Sequence, residues 1–222
     1  MNVMSVLNQV MKQAQSGQYK GADSSGSGID MKSLLGGGAL GLMVGSKRGR
    51  KMGGKALKYG AVAGVGVLAW KAYQSYQAGN QNAQGGAYAP SSQGQPLEQL
   101  QGQEQERRGL EILQAMIMAA RADGHIDGDE RALLTREIEN LRPDDELHAW
   151  IQQQFDAPLD ARTLARSADS PQASREIYIV SAAIIDDQNP MERAWLDQLA
   201  SALNLEPALT RELEQQVQAA AG

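Results

Sequence analysis

Between residues 34 and 76 glycine recurs at helical spacing inside apolar sequence: Gly37, Gly41 and Gly45 fall every four residues, and so do Gly60 and Gly64. On a helix such a repeat leaves a flat stripe, free of side chains, along which a second helix approaches closely, as membrane helices do. In water the same glycines only weaken a helix, and Leu40, Leu42, Met43, Val44, Val62, Val65, Val67 and Leu68 would stand exposed. The pattern therefore suits a lipid surrounding, with a flexible, soluble Gly-rich region as the alternative. Residues 34–46 and 60–70 carry no charge and residues 47–55 are basic. Neither uncharged run has the roughly 20 residues of a spanning helix. Extended to residues 56–76 the second one does, with Lys58 and Lys71 placed to snorkel and Trp70, Tyr73 and Tyr76 forming an interfacial belt.

Charge divides the chain in two. Residues 1–103 hold 10 Lys or Arg against 3 Asp or Glu, and residues 104–222 hold 11 against 23, so a part at +7 precedes a part at −12. The basic part suits anionic headgroups. The acidic part repels phosphates, which sets nucleic acid aside as a partner. With no cysteine there is no disulfide framework, thiolate metal site or cysteine nucleophile. The first residues lack the apolar run and cleavage site of a secretory signal, so insertion is expected to use an internal segment.

The expected organisation is all-α in four parts. Residues 1–33 form an amphipathic helix and flexible linker, the helix carrying Val3, Val6, Leu7, Val10, Met11 and Ala14 on one face. Residues 34–77 are the Gly-rich membrane segment or hairpin. Residues 78–103, rich in Gln, Gly, Asn, Ala, Ser and Pro, form a disordered tether. Residues 104–222 form an acidic helical bundle: Leu110, Leu113, Ile117 and Ala120 share a face of its first helix, and further helical runs cover 130–141, 143–155, 171–185, 190–203 and 207–220. Pro171, Pro190 and Pro207 fit first-turn positions, where proline sacrifices no hydrogen bond.

Two turns of the acidic part look alike. Residues 122–132 read Ala-Asp-Gly-His-Ile-Asp-Gly-Asp-Glu-Arg-Ala, and residues 185–194 read Ile-Asp-Asp-Gln-Asn-Pro-Met-Glu-Arg-Ala. Facing one another, they would offer the hard oxygen ligands of Asp123, Asp127, Glu130, Asp186 and Glu192 to a divalent cation such as Ca, Mg or Mn. The first turn matches the back half of an EF-hand loop, but Ala119 and Arg121 stand where its front half needs acids, so an EF-hand proper is excluded. The competing account needs no metal: Asp127 with Glu130, and Asn189 with Glu192, have capping-box spacing. His125 and His148, the two histidines, lie 23 residues apart, and no nucleophile arrangement, phosphate loop or His-rich metal spacing is visible. The chain reads as a non-enzyme with no catalytic residue and no organic cofactor.

The turn at residues 122–131, together with Pro-Met-Glu-Arg-Ala-Trp-Leu at 190–196, resembles the TerB-like domain of tellurite-resistance proteins. With Lys47-Arg48-Gly49-Arg50-Lys51 and the Gly-rich run ahead of it, the chain from about residue 34 onward looks like the YebE type of inner-membrane protein. The resemblance implies a helical bundle, membrane attachment and an acidic face that binds metal ions through the five residues named above. This chain has Ile185-Asp186-Asp187 where TerB-like second turns often show Ala-Asp-Gly. Expected of such a chain is a membrane-tethered interaction or sensing module whose partners are membrane lipids and a further protein. The alternative is a structural component that self-associates into homo-oligomers through its glycine stripes, with a passive helical head. The basic cluster from Lys47 to Lys55 ahead of residues 56–76 is expected to stay cytoplasmic, which places the acidic domain in the periplasm; a segment that only dips into the bilayer would leave that domain in the cytoplasm.

Overall fold

The computed structural model describes residues 1–16, 64–79, 92–122, 143–185 and 189–221. Every regular element among them is helical: α1 (Val3–Ser16), α2 (Val65–Gly79), a 3-10 turn (Leu97–Gln99), α3 (Gly102–Ala120), α4 (Asp145–Asp156), α5 (Ala161–Ser167), α6 (Pro171–Ile184), α7 (Pro190–Ala202) and α8 (Pro207–Ala221).

Helix α6 is the axis of the molecule. Its run from Ile177 to Ala183 has no charged residue and is buried throughout, and it packs against α2, α3, α7 and α8. A helix apolar on all sides must be enclosed by others. Around it, Ile112 and Met118 of α3, Leu196 and Leu199 of α7 and Leu213 of α8 fill one core, which Leu147 and Ile151 of α4 and Leu164 of α5 extend. Helix α1 lies on α3 with Val3, Val6 and Leu7 buried.

The helix starts follow local chemistry. Ser170, Asp144, Asp160 and Asn189 each accept a bond from a backbone N–H of the first turn. Pro171 and Pro190 occupy the expected first-turn positions, and α8 starts at Pro207. At α4 the expected start at residue 143 moves to Asp145, because Asp144 takes the cap and leaves Pro143 outside. The short α5 was not expected, since seven residues give apolar periodicity little to show. Ala120, expected on the buried face of α3, is exposed, while Ile112, Ala115, Met118 and Ala119 widen that face.

The largest departure concerns residues 65–79. They form one helix of 15 residues, roughly 22 Å long, docked against α6 and α8. Val65, Gly66, Ala69 and Ala72 are buried in that contact. Two of the three aromatics expected as an interfacial belt have partners within the protein: the Arg175 guanidinium lies 4.1 Å from the centre of the Tyr73 ring, and the Tyr76 hydroxyl donates to Glu206. Small residues at helical spacing allow close approach to any partner helix, lipid-embedded or not. No helix among the described residues is long and apolar enough to cross a membrane. Residues 34–63, with most of the glycine stripes, lie outside the described residues.

Residues 92–101, within the stretch read as a tether, lie on the helices as a strap. Gln93, Leu97 and Leu100 are buried, and the Gln93 carbonyl accepts from the Gln172 N–H at 2.8 Å. Gly94, at φ +81°, passes so close to Ser170 that a Cβ would stand 2.5 Å from its side chain.

Candidate functional site

Of the five acidic residues expected to bind a cation, Glu192 lies within the described residues, and Asp123, Asp127, Glu130 and Asp186 lie outside them. Glu192 is part of a capping box. Asn189 Oδ1 accepts from the N–H groups of Met191 at 2.9 Å and Glu192 at 3.0 Å, and the Asn189 N–H donates to Glu192 Oε2 at 3.0 Å. Helices α3 and α6, which pack on one another, end at Ala120 and Ile184, just before the two acidic turns. Among the described residues no three His, Cys, Asp or Glu side chains are grouped to hold a metal ion. His125 also lies outside them, and His148 is half-buried on α4.

What the sequence reading missed is an ionic cluster in the interior, where α2, the strap, α3 and α6 meet. Arg108 of α3 is its centre, 2 % exposed. Its Nη1 donates to Glu176 Oε2 at 2.7 Å, and its Nη2 donates to Asp169 and, at 3.2 Å, to Ser170 Oγ. Its Nε faces Glu111 Oε2 at 3.2 Å, an ion pair in which neither atom has a hydrogen-bond partner. Arg107 closes the outer edge by pairing with Asp169.

Glu176, 0 % exposed, carries the cluster to the strap and to α2. Its Oε1 accepts from the Leu97 N–H at 3.0 Å and from Gln172 Nε2 at 2.9 Å. Gln172 Nε2 also donates to the Gly66 carbonyl at 3.0 Å, while the Gly66 N–H donates to Glu98 Oε1 at 3.1 Å. Gly66 is thus held by both of its backbone polar groups, at a spot where a Cβ would come within 2.8 Å of the Leu97 nitrogen and 2.9 Å of Glu176 Oε1. Arg175, next along α6, has a different kind of partner: Nε and Nη2 donate to Gln172 Oε1, Nη1 donates to Gln93 Oε1, and the Tyr73 ring covers its face.

Burial sets the protonation behaviour here. It pushes the Glu111 carboxyl up to about 7, against the pull of Arg108. It also raises Glu176, again opposed by Arg108 and by the bonds from Gln172 and Leu97. Burial acts on Asp169 in the same direction, but Arg108, Ser170 and Arg107 together outweigh it and hold that carboxyl below its ordinary value. Arg175, without a carboxylate of its own, is drawn down to about 10 by burial.

A smaller cluster ties α6, α7 and α8 together. The buried Tyr178 hydroxyl donates to Glu214 Oε1 at 2.6 Å, and the same oxygen accepts from Arg193 Nη1 at 3.0 Å. Burial and the Glu214 carboxylate raise the phenol, so it is a hydrogen-bond donor rather than a base.

The sequence did carry one signal for the main cluster. Gln172, Arg175 and Glu176 begin a helix whose remainder is apolar on all sides, and such a helix encloses its polar residues with the rest. Arg108 with Glu111, three residues apart, is the matching pair on α3.

Fold and cluster together define an all-helical module whose interior is organised by buried charge. The chain belongs to the DUF533 family of proteins of unknown function, whose family model matches residues 30–217. It is 30% identical over 112 residues to an uncharacterized protein in the ampR 5' region of Yersinia enterocolitica, covering 50% of this chain and 81% of that protein. No solved structure matches.

Proposed function

We propose that this chain is a non-enzymatic interaction and sensing module of the bacterial inner membrane, attached through its Gly-rich segment and carrying a TerB-like helical head. The YebE-type reading of the whole chain and the periplasmic placement of the head belong to this proposal. One observation carries it: the first turn of α2, in the Gly-rich segment directly after residues 34–63, is locked into the head through both backbone groups of Gly66. With no slack between the two, a change in residues 34–63 is passed to the head and a partner bound to the head acts back on the bilayer segment. The two acidic turns at the ends of α3 and α6 are the proposed sensing face, for a divalent cation or for a basic protein partner.

Membrane fractionation tests the attachment. The full-length protein is expected to pellet with membranes and to resist carbonate washing. Deletion of residues 34–63, which spares α2, is expected to release it. A full-length protein that washes off refutes firm attachment through residues 34–63.

A further inference from the structure

The cluster around Arg108 is not balanced. Three carboxylates, Glu111, Asp169 and Glu176, meet the two guanidiniums of Arg107 and Arg108. Arg175 lies beside Glu176 but spends its fork on Gln172 and Gln93. Fully ionised, these three carboxylates outnumber the two guanidiniums they pair with, and Arg175 acts on Glu176 by its charge alone, which leaves Glu111 the least compensated in a setting where such a charge is costly. The carboxylate least held is Glu111: it is 4 % exposed, its Oε2 accepts no hydrogen bond, and the Arg107 contact to its Oε1 is 3.8 Å long. Asp169 and Glu176, by contrast, each accept hydrogen bonds from arginine.

We propose that this cluster is a proton-operated latch: with Glu111 protonated it keeps the strap (residues 92–101) and α2 closed on the domain, and with Glu111 ionised it lets them open. The coupling runs through shared partners. An ionised Glu111 competes with Glu176 and Asp169 for Arg108 and repels both. Glu176 is the acceptor for the Leu97 N–H and, beside Gln172, sets the bond to the Gly66 carbonyl. The strap and α2 reach the cluster through these backbone groups, so their lifting admits water to Glu111 and its partners. The proton comes from solvent at the edge of the cluster, where Arg107 and Asp169 are partly exposed.

The other charges near α3 are placed differently: Glu106 of α3 is only half-buried, although its Oε2 likewise accepts no hydrogen bond. On α3 itself Glu111 is faced by Arg107 and Arg108, from the turn before α6 by Asp169 and from α6 by Glu176. Glu98 of the 3-10 turn is bonded to Gly66. On α4, Asp145, Glu146 and Asp156 are exposed and His148 is half-buried; on α5, Arg162 and Arg166 are exposed; residues 3–9 of α1 carry no ionisable side chain.

The direction with pH follows. Closed, Glu111 titrates at about 7; opened to water, it returns to the ordinary 4.5 of a glutamate. The proton is bound more tightly in the closed form, so closure is favoured at low pH and weakens as pH rises through 7. Between pH 6 and pH 8 the opening constant is expected to grow about tenfold, most of it below pH 7.

The chain has no cysteine, so one introduced thiol reports opening. Ala69→Cys places it at a fully buried position of α2, and Ser75→Cys gives an exposed control on the same helix. In the full-length protein, the rate of thiol modification at Ala69→Cys divided by that at Ser75→Cys is expected to rise about tenfold from pH 6 to pH 8. Adding Glu111→Gln, which mimics the protonated side chain, is expected to flatten that ratio. A ratio independent of pH, or one that rises equally with Glu111→Gln present, overturns the latch. The melting temperature of the cysteine-free protein gives a second reading should Ala69→Cys disturb packing: it should fall from pH 6 to pH 8, and Glu111→Gln should remove that fall.

Discussion

Gly66 sits where two rules about glycine predict opposite signs, which makes Gly66→Ala the sharpest test of the docking of α2. By helix propensity alone the change stabilises the protein by about 1 kcal/mol. By packing it cannot be accommodated in place: the new methyl would lie 2.2 Å from Glu98 Oε2, 2.8 Å from the Leu97 nitrogen and 2.9 Å from Glu176 Oε1. Glu98 can swing away, but the Leu97 nitrogen is backbone, so the strap has to shift. The buried bond from Leu97 to Glu176 is worth about 2 kcal/mol and the part-exposed one from Gly66 to Glu98 about 1 kcal/mol. Set against the propensity gain, the expected outcome is a net loss of about 2 kcal/mol. Urea unfolding followed by circular dichroism reads this as a lower midpoint at unchanged slope. Gly79, at the other end of α2, meets nothing within 4 Å, so Gly79→Ala is the control and should be neutral or slightly stabilising. Equal or higher stability of Gly66→Ala would refute the contact between strap and α2 described above.

Glu176→Gln weakens the charge-assisted bond from Arg108 Nη1 while Asp169 and Glu111 still face that guanidinium, so it should destabilise the protein by about 2 kcal/mol in the same urea assay; unchanged stability would mean that the pair is open to water. For the acidic turns, calcium, magnesium or manganese should raise the melting temperature through preferential binding to the folded state, and Asp123→Asn combined with Asp186→Asn should abolish the rise. Equal melting with and without the ions would leave helix capping as the whole role of these turns.

Local signals in this sequence were reliable because the chemistry behind them is local. Asn189 and Glu192 form the capping box that their spacing implied, and Pro171, Pro190 and Pro207 stand in the first turns of α6, α7 and α8. The environment of α2 was not legible. Val65, Ala69, Ala72 and Tyr76 repeat at the spacing of a buried face, yet periodicity does not tell whether lipid or protein covers that face. The residues that decide, Gln172, Arg175 and Glu206, lie about a hundred positions or more along the chain. The strap failed for a related reason: its composition is that of a linker, and it is placed by backbone bonds from Leu97 and to Gln93, which no side-chain pattern records. The candidate site divides in the same way. The acidic turns stood out as a repeated motif, while the Arg108 cluster draws single residues from separate helices and has no motif to find.

The docking of α2 also sets an order of events at the ribosome. Gly66 is bonded to Gln172, 106 residues later, and Tyr76 to Glu206, 130 residues later. At the roughly 5–20 residues per second of translation, the partners of this helix emerge on the order of ten seconds after the helix itself. Throughout that interval the side of residues 65–79 that α6 and α8 cover in the finished fold is without those two helices. The speed at which the last third of the chain is made therefore sets how long this helix waits, uncovered, for the surface it docks on.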